Sequence, residues 1–352
     1  MPDARVQAAI TNWSPRFTSQ GVDYNDFVST TGTIETWDQW LDAWVANGDM
    51  HAELARDAAG YGRNLSAGEA WVRAALSYHF AKFVWMLDMS RYRVAADKAV
   101  NALYEAYKYL DPSAERLEMR LDGQLMVANL RKPPGARKPP LVILLPGLDS
   151  TKEEFVYWES NFLTRGMAAV SLDGPGQGET GYNTTIRHDY EVAVSTLLDS
   201  LSKRTDIDLA RVGVVGVSMG GYYAPRSAAF ESRIKAVSTI GGPYNMGACW
   251  DRIPMLTRES LIHHSGAVDA EDARQKALKL DLEGVAGKIK QPLLIVFGKL
   301  DRLIPYDHAE RLAAEASNAV LVMYENGNHV CNNLPYKYRP LVGDWMKEQL
   351  GG

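Results

Sequence analysis

The chain is poor in cysteine and has no excess of basic residues, and each shortage excludes a class of protein. Cys249 and Cys331 are its two cysteines, too few for a disulfide framework, so a reducing, cytoplasmic location is expected. The formal net charge of −5 argues against a nucleic acid partner, because binding phosphates requires a basic face. The opening segment MPDARVQAAITNW lacks the apolar stretch of a secretory signal. The longest apolar runs, such as 141–145, fall far short of the roughly 20 residues of a membrane span, so no membrane association is expected.

Sequence motifs for metals and nucleotides are also missing. Neither HExxH nor CxxC occurs, and Cys331 near His329 is too little for a metal site. The segment 173–178, DGPGQG, resembles a phosphate-binding loop, but it lacks the spacing of a dinucleotide fingerprint and the Gly-Lys-Ser/Thr of a P-loop. We therefore expect no metal and no cofactor, and we interpret this segment as a turn beside the substrate pocket.

The first third of the chain has the pattern of a helical domain. Between residues 30 and 110, apolar residues recur at spacings of three and four. The pattern is clearest at Trp37, Trp40 and Trp44 and in the run from Val72 to Phe83. Asp111-Pro112 ends it, because proline cannot continue a helix. Residues 1–113 are therefore predicted to form an all-helical domain.

From residue 114 onward, short strands alternate with helices. A hairpin is predicted around Asp122-Gly123, a favoured two-residue turn. Further strands are predicted at 141–146, 167–173, 212–217, 234–240, 293–298 and 319–325. Their Val, Ile and Leu residues do not alternate with polar ones, so residues 114–352 are predicted to form an α/β fold with a mostly parallel sheet flanked by helices. The stretch 244–288 is too long for an ordinary crossover and is expected near the carboxyl edge of that sheet.

The strongest chemical signal is the G-x-S-x-G motif at 216–220, whose serine is Ser218. The motif follows a predicted strand and precedes a predicted helix. This is the setting of a nucleophile elbow, in which small neighbours let the strand and the helix approach closely. Such a turn lifts the hydroxyl above the sheet and directs the Met219 amide towards a developing oxyanion. The alternative is a glycine-rich turn without chemistry.

A serine hydroxyl needs a base, so the elbow predicts an acid and then a histidine later in the chain. Asp301 follows a buried strand and His329 follows the next one, and both are expected at the same carboxyl edge as Ser218. Alternatives stay open for both residues. Asp301 could cap a helix while Asp307 or Glu325 orients the base, and His329 could be a histidine of a surface loop.

The loop after the first strand of the core, PGLDSTKEEF, is expected to supply a second oxyanion donor. Gly147 permits a close approach of the backbone to the substrate. The Leu148 amide is the first choice for the donor and that of Asp149 the second. The alternative is that Gly147 only makes a turn.

These motifs resemble the α/β-hydrolase superfamily over residues 115–350: the elbow GVSMGG, the later Asp301 and His329, the block LPGLDSTKEEF and the turn DGPGQGE. The preceding helical segment, with SYHFAKF, is similar to the branch of 2,6-dihydropseudooxynicotine hydrolase and the chain-shortening hydrolases of polyketide pigment pathways. The resemblance implies a helical cap that closes over the site, a homodimer, and hydrolysis of a carbon–carbon bond next to a ketone. It also implies that Ser218 is the nucleophile, Asp301 the acid and His329 the base.

Some members of this branch use a further acidic residue in the segment after the strand that follows the elbow helix. Here that segment reads GGPYNMGACWDRIP, and its one acid is Asp251. Four aromatic residues are candidates for a wall around a planar substrate, with simple core packing as the alternative: Tyr78, Trp85, Tyr92 and Trp250.

The function predicted from these features is that of a serine hydrolase, which forms an acyl-enzyme from a small-molecule carbonyl substrate. Cleavage of a carbon–carbon bond in an aromatic or polyketide-like compound is the first hypothesis. A carboxylesterase or amidase with the same triad is the second, because the nucleophile attacks a carbonyl in each case. The third is a non-catalytic binding protein on the same fold.

Overall fold

A computed structural model describes residues 3–351 of the chain, which divides into two compact units. The helical unit consists of Met1–Ala114 together with Glu153–Tyr157, and the sheet unit consists of Glu115–Lys152 together with Trp158–Gly352. Between residues 3 and 351, no helix has both the length and the apolar content that crossing a membrane would need.

The helical unit is built around a core of aromatic rings. Its helices, within the described residues, are α1 (Ala4–Ser19), α2 (Tyr24–Thr31), α3 (Gln39–Gly60), α4 (Asn64–Ala81) and α5 (Met89–Leu110). Phe17 of α1 stacks on Phe80 of α4 with ring centroids 3.9 Å apart. Trp40 and Trp44, one turn apart on α3, are buried in the same core. The three- and four-residue spacing of the sequence therefore corresponds to the buried faces of packed helices.

Trp37 and Phe83, which the sequence analysis gave as examples of the helical spacing, lie outside the helices, and this part of the prediction is wrong. Trp37 precedes α3, because the side chain of Gln39 accepts from two preceding backbone amides and marks the start of the helix. Phe83 follows the end of α4, where the chain turns at Val84, whose φ is +48°. Both rings are buried. Their spacing in the sequence reflects burial rather than helical structure.

The sheet unit contains one eight-stranded sheet. Its strands are β1 (Glu115–Leu121), β2 (Gln124–Arg131), β3 (Pro140–Leu145), β4 (Ala168–Asp173), β5 (Asp208–Val217), β6 (Ile234–Ile240), β7 (Leu293–Gly298) and β8 (Ala319–Tyr324). They lie in the order β1-β2-β4-β3-β5-β6-β7-β8. The pairs β1–β2 and β2–β4 are antiparallel, and all other pairs are parallel. The predicted fold class, a mostly parallel sheet with flanking helices, is confirmed.

The remaining helices lie between or after the strands: α6 (Val156–Leu163), α7 (Glu191–Ser200), α8 (Gly220–Phe230), α9 (Met255–His264), α10 (Ala270–Leu278), α11 (Asp307–Glu315) and α12 (Pro335–Gln349). Helices α9 and α10 belong to the stretch 244–288. Ser260 of α9 donates a hydrogen bond to the carboxylate of Asp149, in the loop after β3. This part of the stretch therefore lies at the carboxyl edge of the sheet.

Several parallel strands end at the carboxyl edge of the sheet. Every residue of β3, β4 and β7 is buried, as expected for strands covered on both faces. Because β3 and β5 to β8 run in the same direction, the loops that follow them emerge at one edge. Side chains distant in the sequence can meet there.

A network of buried charges holds the segment 153–157 in the helical unit. Arg16 donates to both carboxylate oxygens of Glu154, at 2.7 and 2.6 Å. His79 Nε2 lies 3.1 Å from the same carboxylate, and Lys82 Nζ lies 3.3 Å from His79 Nδ1. Burial, reinforced by the Lys82 charge, lowers the pKa of His79 to about 4, so its imidazole is neutral at pH 7. Burial alone would raise the pKa of Glu154, but the ion pair with Arg16 keeps it well below its usual value.

Replacing Arg16 by methionine tests how much this network contributes to the stability of the protein. Arg16→Met should lower the free energy of unfolding by about 3–5 kcal/mol, because it leaves a buried carboxylate without its main counter-charge. Lys108→Met is the control, since it removes an exposed ion pair with Glu105 and should cost less than about 1 kcal/mol. Urea denaturation followed by tryptophan fluorescence measures both values. Equal effects of the two substitutions would contradict the assignment.

Candidate active site

Ser218 occupies the turn between β5 and α8, and its backbone is held in the left-handed region with a φ of +54°. This conformation is costly for a residue with a Cβ, and it matches the strained turn of a nucleophile elbow. A Cβ on Gly216 would lie 1.9 Å from the carbonyl oxygen of Gly220, and one on Gly220 would lie 2.1 Å from that of Leu145. The Ser218 amide donates to the carbonyl of Ile240 at 2.9 Å, which anchors the turn to β6.

His329 lies within hydrogen-bond distance of both Ser218 and Asp301. Its Nε2 is 2.8 Å from Ser218 Oγ, and its Nδ1 is 2.7 Å from Asp301 Oδ2. A carboxylate only accepts, so Nδ1 carries the proton and Nε2 of the neutral ring accepts from the serine hydroxyl. The other oxygen of Asp301 accepts from the amides of Leu303 and Ile304, at 2.9 and 3.0 Å. These bonds fix the carboxylate, which in turn fixes the tautomer and the orientation of the imidazole.

The three side chains come from loops at one edge of the sheet. Ser218 follows β5, Asp301 follows β7, and His329 begins a short 3-10 helix after β8. Val330 and Cys331 both have positive φ, +59° and +53°, so the chain turns sharply just beyond the imidazole. The structure thus brings together three residues that the sequence analysis had singled out.

Two backbone amides, those of Met219 and Leu148, lie next to Ser218. Met219 follows Ser218 directly, and Leu148 follows Gly147, whose added Cβ would lie only 3.0 Å from Ser218 Cβ and 3.4 Å from its Oγ. In the part of the chain that the structure describes, neither the Met219 nor the Leu148 amide donates to a backbone carbonyl. Both residues are buried. Unpaired N–H groups beside a nucleophile are the donors that a developing oxyanion requires.

Comparison with known proteins shows the family to which this chain belongs. Residues 23–351 match the family described as FrsA-like esterases. Over 342 residues the chain is 35% identical to the 2,6-dihydropseudooxynicotine hydrolase of Paenarthrobacter nicotinovorans, an alignment that covers 96% of this chain and 92% of that protein. The chain belongs to the FrsA-like esterase family.

Two further relatives extend this assignment. The 20-hydroxy-prefusarin hydrolase FUS2 of Gibberella moniliformis is 34% identical over 246 residues, which cover 64% of this chain and 58% of that protein. The crystal structure of the 2,6-dihydroxy-pseudo-oxynicotine hydrolase superposes with a TM-score of 0.89 at 34% identity, covering 96% of each chain. The chain is therefore a hydrolase of the α/β-hydrolase fold, as the sequence predicted.

In this FrsA-like chain, the turn after β4 contacts the loop that carries Leu148. The side-chain nitrogen of Gln177 donates to the carbonyl oxygens of Pro146 and Gly147, at 2.7 and 3.0 Å. The sequence indicated only a turn beside the pocket for this segment, and Gln177 was not among the predicted site residues. The available signal was a long polar side chain between two glycines, in a segment that contains no other uncharged polar residue.

A buried ion pair holds the far end of the same loop. The ammonium group of Lys152, which is fully buried, lies 3.1 Å from Asp173 Oδ2 and 2.5 Å from Glu179 Oε2. The Lys152 amide donates to the other oxygen of Asp173 at 2.8 Å. Glu179 is also paired with Arg116 of β1. The turn at 173–179 therefore contacts both ends of the loop between Pro146 and Lys152.

The two acids considered for an auxiliary role have different surroundings. Asp149 is half-buried and accepts from Ser260 of α9. Asp251 is exposed, two residues after the 3-10 helix at 247–249. Participation of either carboxylate in the reaction stays a prediction.

The four aromatic residues suggested for a substrate wall are all buried. Tyr78 and Trp85 lie in the helical unit, where each donates a hydrogen bond to a partner of that unit. Tyr92 belongs to the same unit, and Trp250 to the sheet unit. These contacts agree with core packing for Tyr78 and Trp85, whereas a role of the four rings in substrate binding stays a prediction.

His308, another histidine of the sheet unit, is held by contacts within that unit. His308, on α11, accepts through Nδ1 from the Tyr244 amide at 3.0 Å, and its Nε2 lies 3.9 Å from Cys249 Sγ. Burial lowers the pKa of His308 and raises that of Cys249 to about 12, so both are neutral at pH 7. Among residues 3–351, no group of three or more His, Cys, Asp or Glu side chains could hold a metal ion.

The close approach of Gly147 to Ser218 can be tested by adding one methyl group. Gly147→Ala should lower kcat/KM for a p-nitrophenyl ester by about 10- to 100-fold, because either Ser218 or the loop after β3 must shift. Its melting temperature should stay within a few degrees of the parent. Gly60→Ala, at the end of α3, is the control, since nothing lies within 4 Å of the added methyl group. Full activity of Gly147→Ala would mean that this approach is not important for the reaction.

Proposed function

We propose that this chain hydrolyses a carbon–carbon bond next to a ketone in an aromatic or polyketide-like small molecule, through a Ser218–His329–Asp301 triad and an acyl-enzyme. The observation that carries the proposal is the His329 imidazole, bonded at 2.8 Å to the serine hydroxyl and at 2.7 Å to a buried carboxylate. The choice of a carbon–carbon bond over an ester bond rests on the relatives. The protein that aligns with 96% of this chain is named 2,6-dihydropseudooxynicotine hydrolase.

The first step forms the acyl-enzyme. Ser218 Oγ attacks the carbonyl carbon of the substrate while His329 Nε2 takes the hydroxyl proton, and Asp301 stabilises the resulting imidazolium. The amides of Met219 and Leu148 bind the oxyanion of the tetrahedral intermediate. Such donors are usually the largest single contribution to this kind of catalysis, and the loss of one costs about 2.7–4 kcal/mol.

Collapse of the tetrahedral intermediate breaks the carbon–carbon bond. The electron pair leaves with the departing carbon, which takes the proton that His329 had received. This departure is feasible where an adjacent carbonyl or an electron-rich ring stabilises the carbanion as an enolate or phenolate. Water then attacks the acyl-enzyme, again with His329 as base, and releases a carboxylic acid and free Ser218.

A carboxylesterase or amidase reaction is the second candidate. The family that matches residues 23–351 is described as an esterase family, and the same triad would act on an ester without change. The bond type therefore depends on the leaving group. An ester needs only protonation of an oxygen, whereas a carbon–carbon bond needs a stabilised carbanion.

Three further properties belong to the same proposal. Residues 1–113 act as a cap that selects the substrate, the protein is a homodimer, and it works in the cytoplasm. The resemblance to the branch supports the cap and the dimer, and the low cysteine content supports the location. Sedimentation velocity tests the dimer, which should have twice the 39.0 kDa of the chain.

Replacing the nucleophile tests the covalent mechanism. Ser218→Ala should lower kcat by about 10⁴-fold or more, as expected for a residue that acts as one unit with its base. It should also abolish labelling by a fluorophosphonate probe. Ser227→Ala is the control, since the hydroxyl of this buried serine on α8 donates to the carbonyl of Tyr223 in its own helix. More than a few per cent of residual activity in Ser218→Ala would exclude the acyl-enzyme.

A substrate panel tests the choice of bond. The proposal predicts turnover of aryl ketones or β-diketones, with release of a carboxylic acid detected by mass spectrometry. Rapid turnover of p-nitrophenyl esters without any turnover of β-diketones or acyl-phenols would instead favour the esterase.

A further inference from the structure

We infer that Gln177 is a positioning residue, which orients the peptide group of Gly147 and Leu148 so that the Leu148 amide binds the oxyanion. This inference rests on the proposed function. Gln177 lies in the turn between β4 and α7, 41 residues before the nucleophile in the chain, and is 1% exposed. It contacts the oxyanion loop through its side chain, as described above.

All the hydrogen-bonding capacity of the Gln177 side chain is used. Its nitrogen donates to the carbonyls of Pro146 and Gly147, at 2.7 and 3.0 Å. Its oxygen accepts from the amide of Gly174 at 3.0 Å and from the hydroxyl of Tyr190 at 2.7 Å. The Gly174 amide can only donate, and the two carbonyls can only accept, so the side-chain amide has one possible orientation. A group with four fixed bonds is suited to holding a backbone in place.

The bond to the Gly147 carbonyl acts directly on the predicted oxyanion donor. The Gly147 C=O and the Leu148 N–H belong to the same peptide group, which is planar and trans, so the two bonds point in opposite directions. Fixing the oxygen therefore fixes the direction of the N–H. A hydrogen bond received by the oxygen also polarises the peptide group and makes its N–H a stronger donor.

Gln177 also connects this loop with the elbow helix. Tyr190, which donates to Gln177, stacks on Tyr223 of α8 with ring centroids 3.8 Å apart. Burial raises the pKa of Tyr190 well above its usual value, so the phenol keeps the proton that it donates. The nucleophile and the Leu148 amide are thus held through one chain of buried contacts. This is the arrangement needed for an oxyanion site that does not reorganise during the reaction.

The experiment compares a transition-state analogue with a ground-state analogue of the same shape. An aryl trifluoromethyl ketone adds the serine oxygen to its carbonyl and forms an oxyanion, whereas the corresponding methyl ketone binds without this step. In Gln177→Glu and Gln177→Met, the inhibition constant of the trifluoromethyl ketone should rise by about 10- to 100-fold. This is less than the roughly 100- to 1,000-fold loss of kcat that removal of an oxyanion donor causes, because Gln177 only orients the donor. The inhibition constant of the methyl ketone should change by no more than about threefold. The kcat/KM for a p-nitrophenyl ester should fall by a factor similar to the loss of affinity for the trifluoromethyl ketone.

Gln291→Glu is the matched control. Like Gln177, Gln291 donates to two carbonyl oxygens, those of Ala228 and Ile234, and accepts from a backbone amide. It precedes β7 at the amino edge of the sheet, opposite to Ser218. This substitution should leave both inhibition constants and kcat/KM within about twofold of the parent.

The outcomes separate this inference from the proposed function. An unchanged affinity for the trifluoromethyl ketone in a folded Gln177 variant overturns the inference, and so does an equal loss of affinity for both ketones. Should neither Gln177 variant fold, Tyr190→Phe decides, since it removes one bond to Gln177 and should weaken only the trifluoromethyl ketone, by a smaller factor. Retained activity in Ser218→Ala would instead overturn the proposed function, whatever the Gln177 variants do.

Discussion

The hydrogen bond between His329 Nδ1 and the buried carboxylate of Asp301 is the contact on which the site depends. An imidazole free to rotate or change tautomer could not present an unprotonated Nε2 to the serine hydroxyl. Asp301 can fix the ring because its other oxygen is itself fixed by two backbone amides in the loop after β7. The contacts therefore fix the site in sequence: the loop fixes the carboxylate, the carboxylate fixes the imidazole, and the imidazole contacts the Ser218 hydroxyl, the proposed nucleophile.

A parallel sheet makes this arrangement possible, and buried polar groups keep it rigid. The loops after β3, β5, β7 and β8 meet at one edge, so the loop that carries Leu148, the turn at Ser218, Asp301 and His329 all start from the same rigid base. The strain of a positive φ at Ser218 is tolerated because the strand and the helix on either side are well packed. Gln177 and Lys152 add polar anchors at the two ends of the loop between Pro146 and Lys152. Both side chains are buried, and the contacts described above join them to other residues of the sheet unit. Such anchoring suits a site that must not relax when charge develops.

Much of this architecture could be predicted from the sequence, because the signals were local. Runs of β-branched residues indicated the buried strands, and the glycines around Ser218 indicated a tight turn. That turn in its setting led to the expectation of an acid and then a histidine later in the chain. Apolar spacing was less specific, and it assigned Trp37 and Phe83 to helices that do not include them. Gln177 was missed for a different reason. Its importance depends on two carbonyls some thirty residues earlier, and no local pattern in the sequence shows which carbonyl a glutamine will meet. The same holds for Glu154, whose partners Arg16 and His79 lie 138 and 75 residues earlier in the chain.

Under the proposed function, Ser218, His329 and two backbone amides act together on one carbonyl group. A crystal structure of the protein inhibited by an aryl trifluoromethyl ketone would show whether they do. We expect a covalent bond from Ser218 Oγ to the former carbonyl carbon, with the oxyanion about 2.7–3.1 Å from the nitrogens of both Met219 and Leu148. An inhibitor bound without this bond, or an adduct whose oxygen faces away from the two amides, would contradict it.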